Sequence, residues 1–224
     1  MRHRTSISII LLTASILLAS MTVTNSPYAT KKLKGGNAAV LFTTEPVVAF
    51  HDDDLSPAFR DKDVEWIILR TIKEKLIDYL KSQSLFTTVR NLQWNGLENC
   101  LIRKKISARG LASTYFTTLK KECMAQLRKD RCDFIILIDK CMVLNGVEDH
   151  DFYVDPDDAD DENSGELLAG CRFIILYTKT EEWVSCGVVS ETEGYNDLNQ
   201  EDIRDLLNDL CDDIFDSTPF DNDD

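Results

Sequence analysis

The residues of this chain best suited to chemistry are carboxylates and imidazoles. His51 is followed by Asp52, Asp53 and Asp54. Imidazole nitrogen and carboxylate oxygen are both competent ligands for a transition metal. Adjacent residues at a strand end point in different directions, so few of the four can share one ion. Asp149 and His150, brought near, would complete a site; the competing reading is a solvated loop. A second run, Asp155, Asp157, Asp158 and Asp160, with Asp161 and Glu162 beside it, presents alternating oxygen ligands of the kind Ca2+ takes. It lacks a glycine at the sharp-turn position and a helix–loop–helix context, so a plain acidic linker is the stronger reading. Calcium is the one cofactor left open; otherwise none is expected.

Seven cysteines are present, at 100, 123, 132, 141, 171, 186 and 211. The odd number, with no CxxC and no Cys/His cluster, argues against structural zinc and against a thioredoxin-type redox pair. Zero to two disulfides are expected, with the other thiols buried as small hydrophobes. The best pair is Cys171 with Cys186, which face each other if their hairpin turns on Thr178-Lys179; a longer turn breaks the match. A cysteine nucleophile would need His51 or His150 as its base, and neither lies in a recognisable motif. There is no GxSxG elbow, no P-loop and no GxGxxG.

The elements that must position these groups follow from periodicity. Phe134 to Ile138 is a short, β-branched apolar run before the turn signal Asn145-Gly146, and reads as a central strand buried on both faces. Ala38 to Phe42 and Val47 to Phe50 are strand-like, interrupted at Pro46. Ile67, Ile68, Ile72, Leu76 and Leu80 make one stripe of a long helix ending near Ser82. Ser84 to Val89 reads as a strand and Glu98 to Ser107 as an ambiguous, short helical segment. Phe116, Leu119, Cys123 and Leu127 predict a second helix from about Ser113 to Lys129. Leu167 to Tyr177 and Trp183 to Glu191 predict a hairpin. Asn199 caps a final helix whose face is Ile203, Leu206, Leu207, Leu210, Ile214 and Phe215. The order β-α-β-α-β-β-β-α predicts an α/β (α+β) sandwich: a mixed sheet of about five strands with three main helices.

Around this single domain, residues 38–216, lie simpler segments. Arg2 and Arg4 precede an apolar run from Ile7 to Leu18, the pattern of a secretory signal over residues 1–26. Cleavage after Ser20, Ser26 or Ala29 is open, and an uncleaved anchor is the alternative. The mature chain then carries no membrane span. Residues 27–37 are a linker, 148–165 an acidic loop and 217–224 a frayed acidic tail. The formal charge is -14, from 39 acids and 25 bases, which discounts nucleic acid and anionic lipid as partners. The bases concentrate between Arg103 and Arg131 and the acids after Glu148. Solvated faces that attract one another within one fold are the plain explanation.

The phrase Ile72 to Val89 (IKEKLIDYLKSQSLFTTV) resembles the step from helix to Phe-x-x-Val strand found in a group of bacterial envelope domains. These are the TolB N-terminal domain, CsgG and LpoB. In them a further apolar strand begins with Asp, as Asp133-Phe134-Ile135-Ile136-Leu137 does, and a hairpin and helix close the domain. The resemblance covers roughly residues 38–216 in element order. Leu17-Leu18-Ala19-Ser20 is similar to a lipobox but is followed by Met21 where a lipoprotein has Cys. The resemblance implies an exported, non-enzymatic interaction module, periplasmic or extracellular, with another envelope protein as partner and self-association open. The alternatives are a divalent-cation-dependent binding protein and an enzyme of unrecognised type.

Overall fold

The computed structural model describes residues 22–27, 35–49, 64–83, 85–92, 94–108, 111–145, 165–195, 198–216 and 218–220. Their strands are β1 (Thr22–Asn25), β2 (Asn37–Phe42), β3 (Val47–Ala49), β4 (Thr88–Asn91), β5 (Leu101–Ala108), β6 (Leu111–Leu119), β7 (Phe134–Asn145), β8 (Gly165–Tyr177) and β9 (Glu182–Tyr195). Their helices are α1 (Val64–Ser82), α2 (Lys121–Lys129) and α3 (Gln200–Asp216). A seven-stranded sheet runs β1-β9-β8-β7-β2-β4, with β3 pairing the far end of β7. Pairs β2–β4, β2–β7 and β3–β7 are parallel; β7–β8, β8–β9 and β1–β9 are antiparallel. The mixed α/β architecture, the three helices of the described residues and the central place of β7 are as the sequence predicts; the main sheet has seven strands where about five were expected.

β7 is central because both its faces are apolar. Ile136 and Ile138 point into a core shared with Ile68, Ile72 and Leu80 of α1 and Leu206, Leu210 and Ile214 of α3. Ile135 and Leu137 point into a second core with Phe116, Leu119 and Leu127. The alternation breaks at Asp139, where the register with β8 skips a residue between Ile138 and Lys140. Such a bulge resets the phase, so Cys141 and Val143 again face the helix-covered core. β2 starts hard against β7: the Asn37 N–H donates to Asp133 Oδ2 at 3.0 Å. Gly36, at φ +99, precedes it, and a Cβ there would lie 3.1 Å from the Phe134 ring.

Five expectations are corrected. Residues 22–25, assigned to the leader, form edge strand β1, in register from Thr22↔Val188 to Asn25↔Ser185. Of the three cleavage positions, only the one after Ser20 leaves this strand attached. Residues 111–119 are a strand and not the first half of a helix, and the helix is confined to Lys121–Lys129. The run Thr114-Tyr115-Phe116-Thr117-Thr118 is β-branched and aromatic, and such residues favour a pleated surface. Phe116 and Leu119 belong to the strand and Cys123 and Leu127 to the helix, so their helical spacing joins two elements. Likewise residues 101–108 are strand β5. Residues 218–220 of the expected frayed tail are packed: Phe220 is buried, its ring 4.9 Å from Phe86 and 5.0 Å from Phe134.

The fifth concerns the disulfide. Cys171 and Cys186 are not bonded; β8–β9 places Cys171 opposite Val189 and Cys186 opposite Ile174. Tyr177 pairs with Glu182, so the turn holds Thr178 to Glu181 in place of the two residues the pairing required, and Glu181 takes φ 58. Residues on opposite faces of a strand pair cannot be bridged. The bond forms instead between Cys100 and Cys123.

Candidate interaction surface

The face of the sheet opposite α1 and α3 is covered by a β5–β6 hairpin and by α2. The hairpin is a two-stranded sheet of its own, in register from Leu101↔Leu119 to Ala108↔Leu111. Ile106, Phe116, Thr118 and Leu119 are buried beneath it. They rest on Ala39, Leu41, Ile135, Leu137, Ile174 and Leu176 of the main sheet. Two devices, one covalent and one ionic, fix this thin layer. The Cys100–Cys123 disulfide ties the base of the hairpin to α2, closing a separation of 23 residues. A loop of that size is worth about 3 kcal/mol in chain entropy. The Lys120 N–H also donates to the Cys100 carbonyl at 2.9 Å.

The second device is the buried ion pair of Asp139 with Arg172. Asp139 is 4% exposed. Its carboxylate also accepts from Thr43 Oγ1 at 3.2 Å and from the Thr117 N–H of β6 at 3.4 Å. The Arg172 guanidinium lies 5.9 Å from the centre of the Phe116 ring. Main sheet and hairpin thus share one charge cluster at the β7 bulge. Its partners are spread over β6, β7, β8 and the residue that follows β2, which explains why no local motif announced it.

The outer surface of this layer is basic. Arg103, Lys104 and Lys105 are exposed, and the Arg103 guanidinium sits 5.5 Å from the centre of the Tyr115 ring. Ile102 is 41% and Tyr115 51% exposed. Lys104 lies 3.6 Å from Glu182 and Lys121 3.9 Å from Glu181, holding hairpin and α2 over the β8–β9 turn. The signal that could have found this surface is the strand-forming run 114–118 next to a basic strand; the helical reading concealed it.

In the opposite layer the outer side of α3 is acidic, whereas α1 beside it carries Arg70, Lys73, Lys75 and Lys81 against Glu65, Glu74 and Asp78. α3 is capped reciprocally: the Glu201 N–H donates to Asn199 Oδ1 at 2.7 Å and the Asn199 N–H to Asp202 Oδ2 at 2.8 Å. Its buried face, Ile203 through Phe215, is the one read from the sequence. Glu201, Asp205, Asp209 and Asp216 are exposed on its outer side. Where α3 meets β9, Glu191 is pushed up to about 7 by its hydrogen bond with Asp213, by burial, and by the charges of Asp213 and Asp209. A carboxyl–carboxyl contact of this kind requires a proton on one partner.

The thiols are arranged for packing. Cys141, Cys171 and Cys211 line a small apolar cavity with Ile72, Leu76 and Leu207. Burial pushes Cys141 and Cys186 up to about 12 and Cys132 to about 11, and raises Cys171 and Cys211. These five remain protonated near neutral pH, where a nucleophile must be a thiolate. His51, Asp52, Asp53, Asp155, Asp157, Asp158 and Asp160 lie outside the described residues, as does His150. The strands that lead to them end side by side, with Ala49 of β3 opposite Leu144 of β7. Among the described residues no group of three or more His, Cys, Asp or Glu is arranged to hold a metal. No helix of the described residues is long and apolar enough to cross a membrane.

No family model matches the chain, and no curated protein matches it. Among solved structures it is similar to the PelC dodecamer of Paraburkholderia phytofirmans, at 11% identity over 91% of this chain and 97% of that one, with a TM-score of 0.44. A hypothetical protein from Chlamydia trachomatis matches at 9% identity over 80% and 93%, TM-score 0.40. A lipoprotein from Neisseria meningitidis matches at 13% identity over 80% and 99%, TM-score 0.32. At these identities and scores the likenesses assign no function to this chain.

Proposed function

We propose that this chain is an exported, non-enzymatic adaptor of the bacterial cell envelope that holds another protein on its basic hairpin layer. The observation that carries this reading is a firmly mounted β5–β6 hairpin whose outer side presents Arg103, Lys105 and Tyr115 to solvent. Arg and Tyr are the residues enriched at interface hot spots. A scaffold held by a disulfide and a buried ion pair loses little further entropy when a partner binds. The leader-like N-terminus and the resemblance of Ile72 to Val89 to envelope interaction domains support export and the adaptor role. The test places a photo-cross-linking residue at Tyr115 in the producing cells and identifies the adduct by mass spectrometry. An adduct with an envelope protein is expected, and Arg103→Glu with Lys105→Glu is expected to abolish it. No adduct in intact cells defeats the proposal.

A second reading is favoured by the paired ends of β3 and β7. The chain leaves both strands at one end of the sheet and continues into the segments bearing His51, Asp52 and Asp53 and Asp155 to Asp160. Divalent-cation binding there predicts heat on calorimetric titration with Ca2+, lost in Asp155→Asn/Asp157→Asn. No heat with calcium or zinc removes this reading.

A further inference from the structure

The two charged surfaces of this molecule cannot neutralise one another within one chain. Residues 98–131 hold nine Lys and Arg against three Asp and Glu, whereas α3 holds seven acids and Arg204 as its one base. The main sheet stands between them, with the hairpin and α2 on one face and α3 on the other. A layer packs about 10 Å from a sheet, so the two outer surfaces are separated by roughly 20 Å or more. That is beyond the Debye length of about 8 Å at physiological salt. Attraction between these two layers of one chain therefore does not account for the segregation.

We propose that the basic hairpin layer of one copy docks on the outer face of α3 of a second copy, head to tail. This rests on the hairpin layer being a docking surface and names its occupant. Charge complementarity selects the second copy: the chain carries, on its far side, the acidic face its own hairpin would recognise. Asp205 and Asp209 are exposed one helical turn apart on α3, a spacing that suits two outward bases of the hairpin such as Arg103 and Lys105. The overall charge of -14 does not forbid the contact, because charges beyond the Debye length are screened and the facing patches are of opposite sign. Two different surfaces meet, so the contact is heterologous and propagates into a closed ring or an open filament.

The full-length protein is measured by light scattering at low and at about 1 M salt, where the Debye length is about 3 Å. An assembly at low salt that falls toward the mass of one chain at high salt is expected. Arg103→Glu/Lys105→Glu, and separately Asp205→Lys/Asp209→Lys, are each expected to weaken self-association at least about ten-fold. The variant carrying all four substitutions is expected to reassemble, since its charges are exchanged and again complementary. All four positions are exposed, and circular dichroism checks that each variant is folded. As a second readout, Tyr115→Cys and Asp209→Cys on separate chains are joined by a short bis-maleimide. A single-chain mass at low salt overturns the proposal. So does an assembly that forms only with added Ca2+ and ignores the charge exchanges, or cross-linking of Tyr115→Cys only to itself. If the chain is single yet Tyr115 still cross-links to another protein in cells, the adaptor reading stands and self-docking falls.

Discussion

The two faces of the main sheet are covered by different physics. On one, α1 and α3 lay long apolar stripes over β7, β8 and β9, and burial of side chains such as Phe173, Leu206 and Leu210 holds the layer. On the other, a hairpin and a nine-residue helix supply a smaller apolar contact and are fastened by a disulfide and a buried ion pair. A thin layer cannot hold itself by area alone, so specific fastenings carry more of the load. The helix-covered face is therefore expected to tolerate loss of any polar group, and the hairpin-covered face to depend on a few.

The contrast breaks most sharply in the core. Phe173→Ala, at a fully buried position, is expected to cost about 4 kcal/mol in urea unfolding and to lower both layers together. Asp139→Ala strands the Arg172 guanidinium beneath the hairpin and is expected to cost about 3 kcal/mol. Replacing the pair by Asp139→Leu/Arg172→Met should recover most of it. If the single and double changes cost the same, the pair is not a fastening. Cys100→Ser/Cys123→Ser is expected to cost up to about 3 kcal/mol, with amide exchange rising in β5 and β6 ahead of β8. Glu191 sharpens the acidic side. Its folded value near 7 exceeds its ordinary value of 4.5, so the folded state binds the extra proton and stability declines as pH rises through that window. Glu191→Gln is expected to flatten the decline between pH about 5 and about 7, read from unfolding midpoints. The smallest effect is assigned to Lys104→Ala, whose exposed pair with Glu182 is worth about 0.3 kcal/mol.

The helix-covered face was the legible one. A stripe recurring every three or four residues, an Asn cap and a continuous apolar strand each state their structure locally, and α1, α3 and β7 follow. The hairpin-covered face was not. Its two β-strands are stabilised by what they rest on, and Phe116 and Leu119 happen to fall in phase with Cys123 and Leu127 of the next helix. The disulfide failed for a related reason: four turn residues in place of two shift the pairing by two positions, and the irregularity between Ile175 and Leu176 shifts it by one more, so Cys171 faces Val189 and Cys186 lies on the other face. The Asp139–Arg172 pair joins residues 33 apart in sequence across a bulge that no pattern announces. Binding chemistry at the acidic segments remained a property of composition alone, whereas the basic surface emerged only once β5 and β6 were placed side by side.

The edge strand β1 sets an order of events. It is made first and paired last: Ser185 Oγ donates to the Thr24 carbonyl across 161 positions of sequence, and the Ser26 N–H waits for the Val184 carbonyl. A ribosome delivers residues 22–26 long before β9 exists, so through most of synthesis this strip is an extended, unclaimed peptide. Any factor that binds extended peptide has that interval in which to act. Once β9 arrives the strip becomes part of the sheet, and the interval closes.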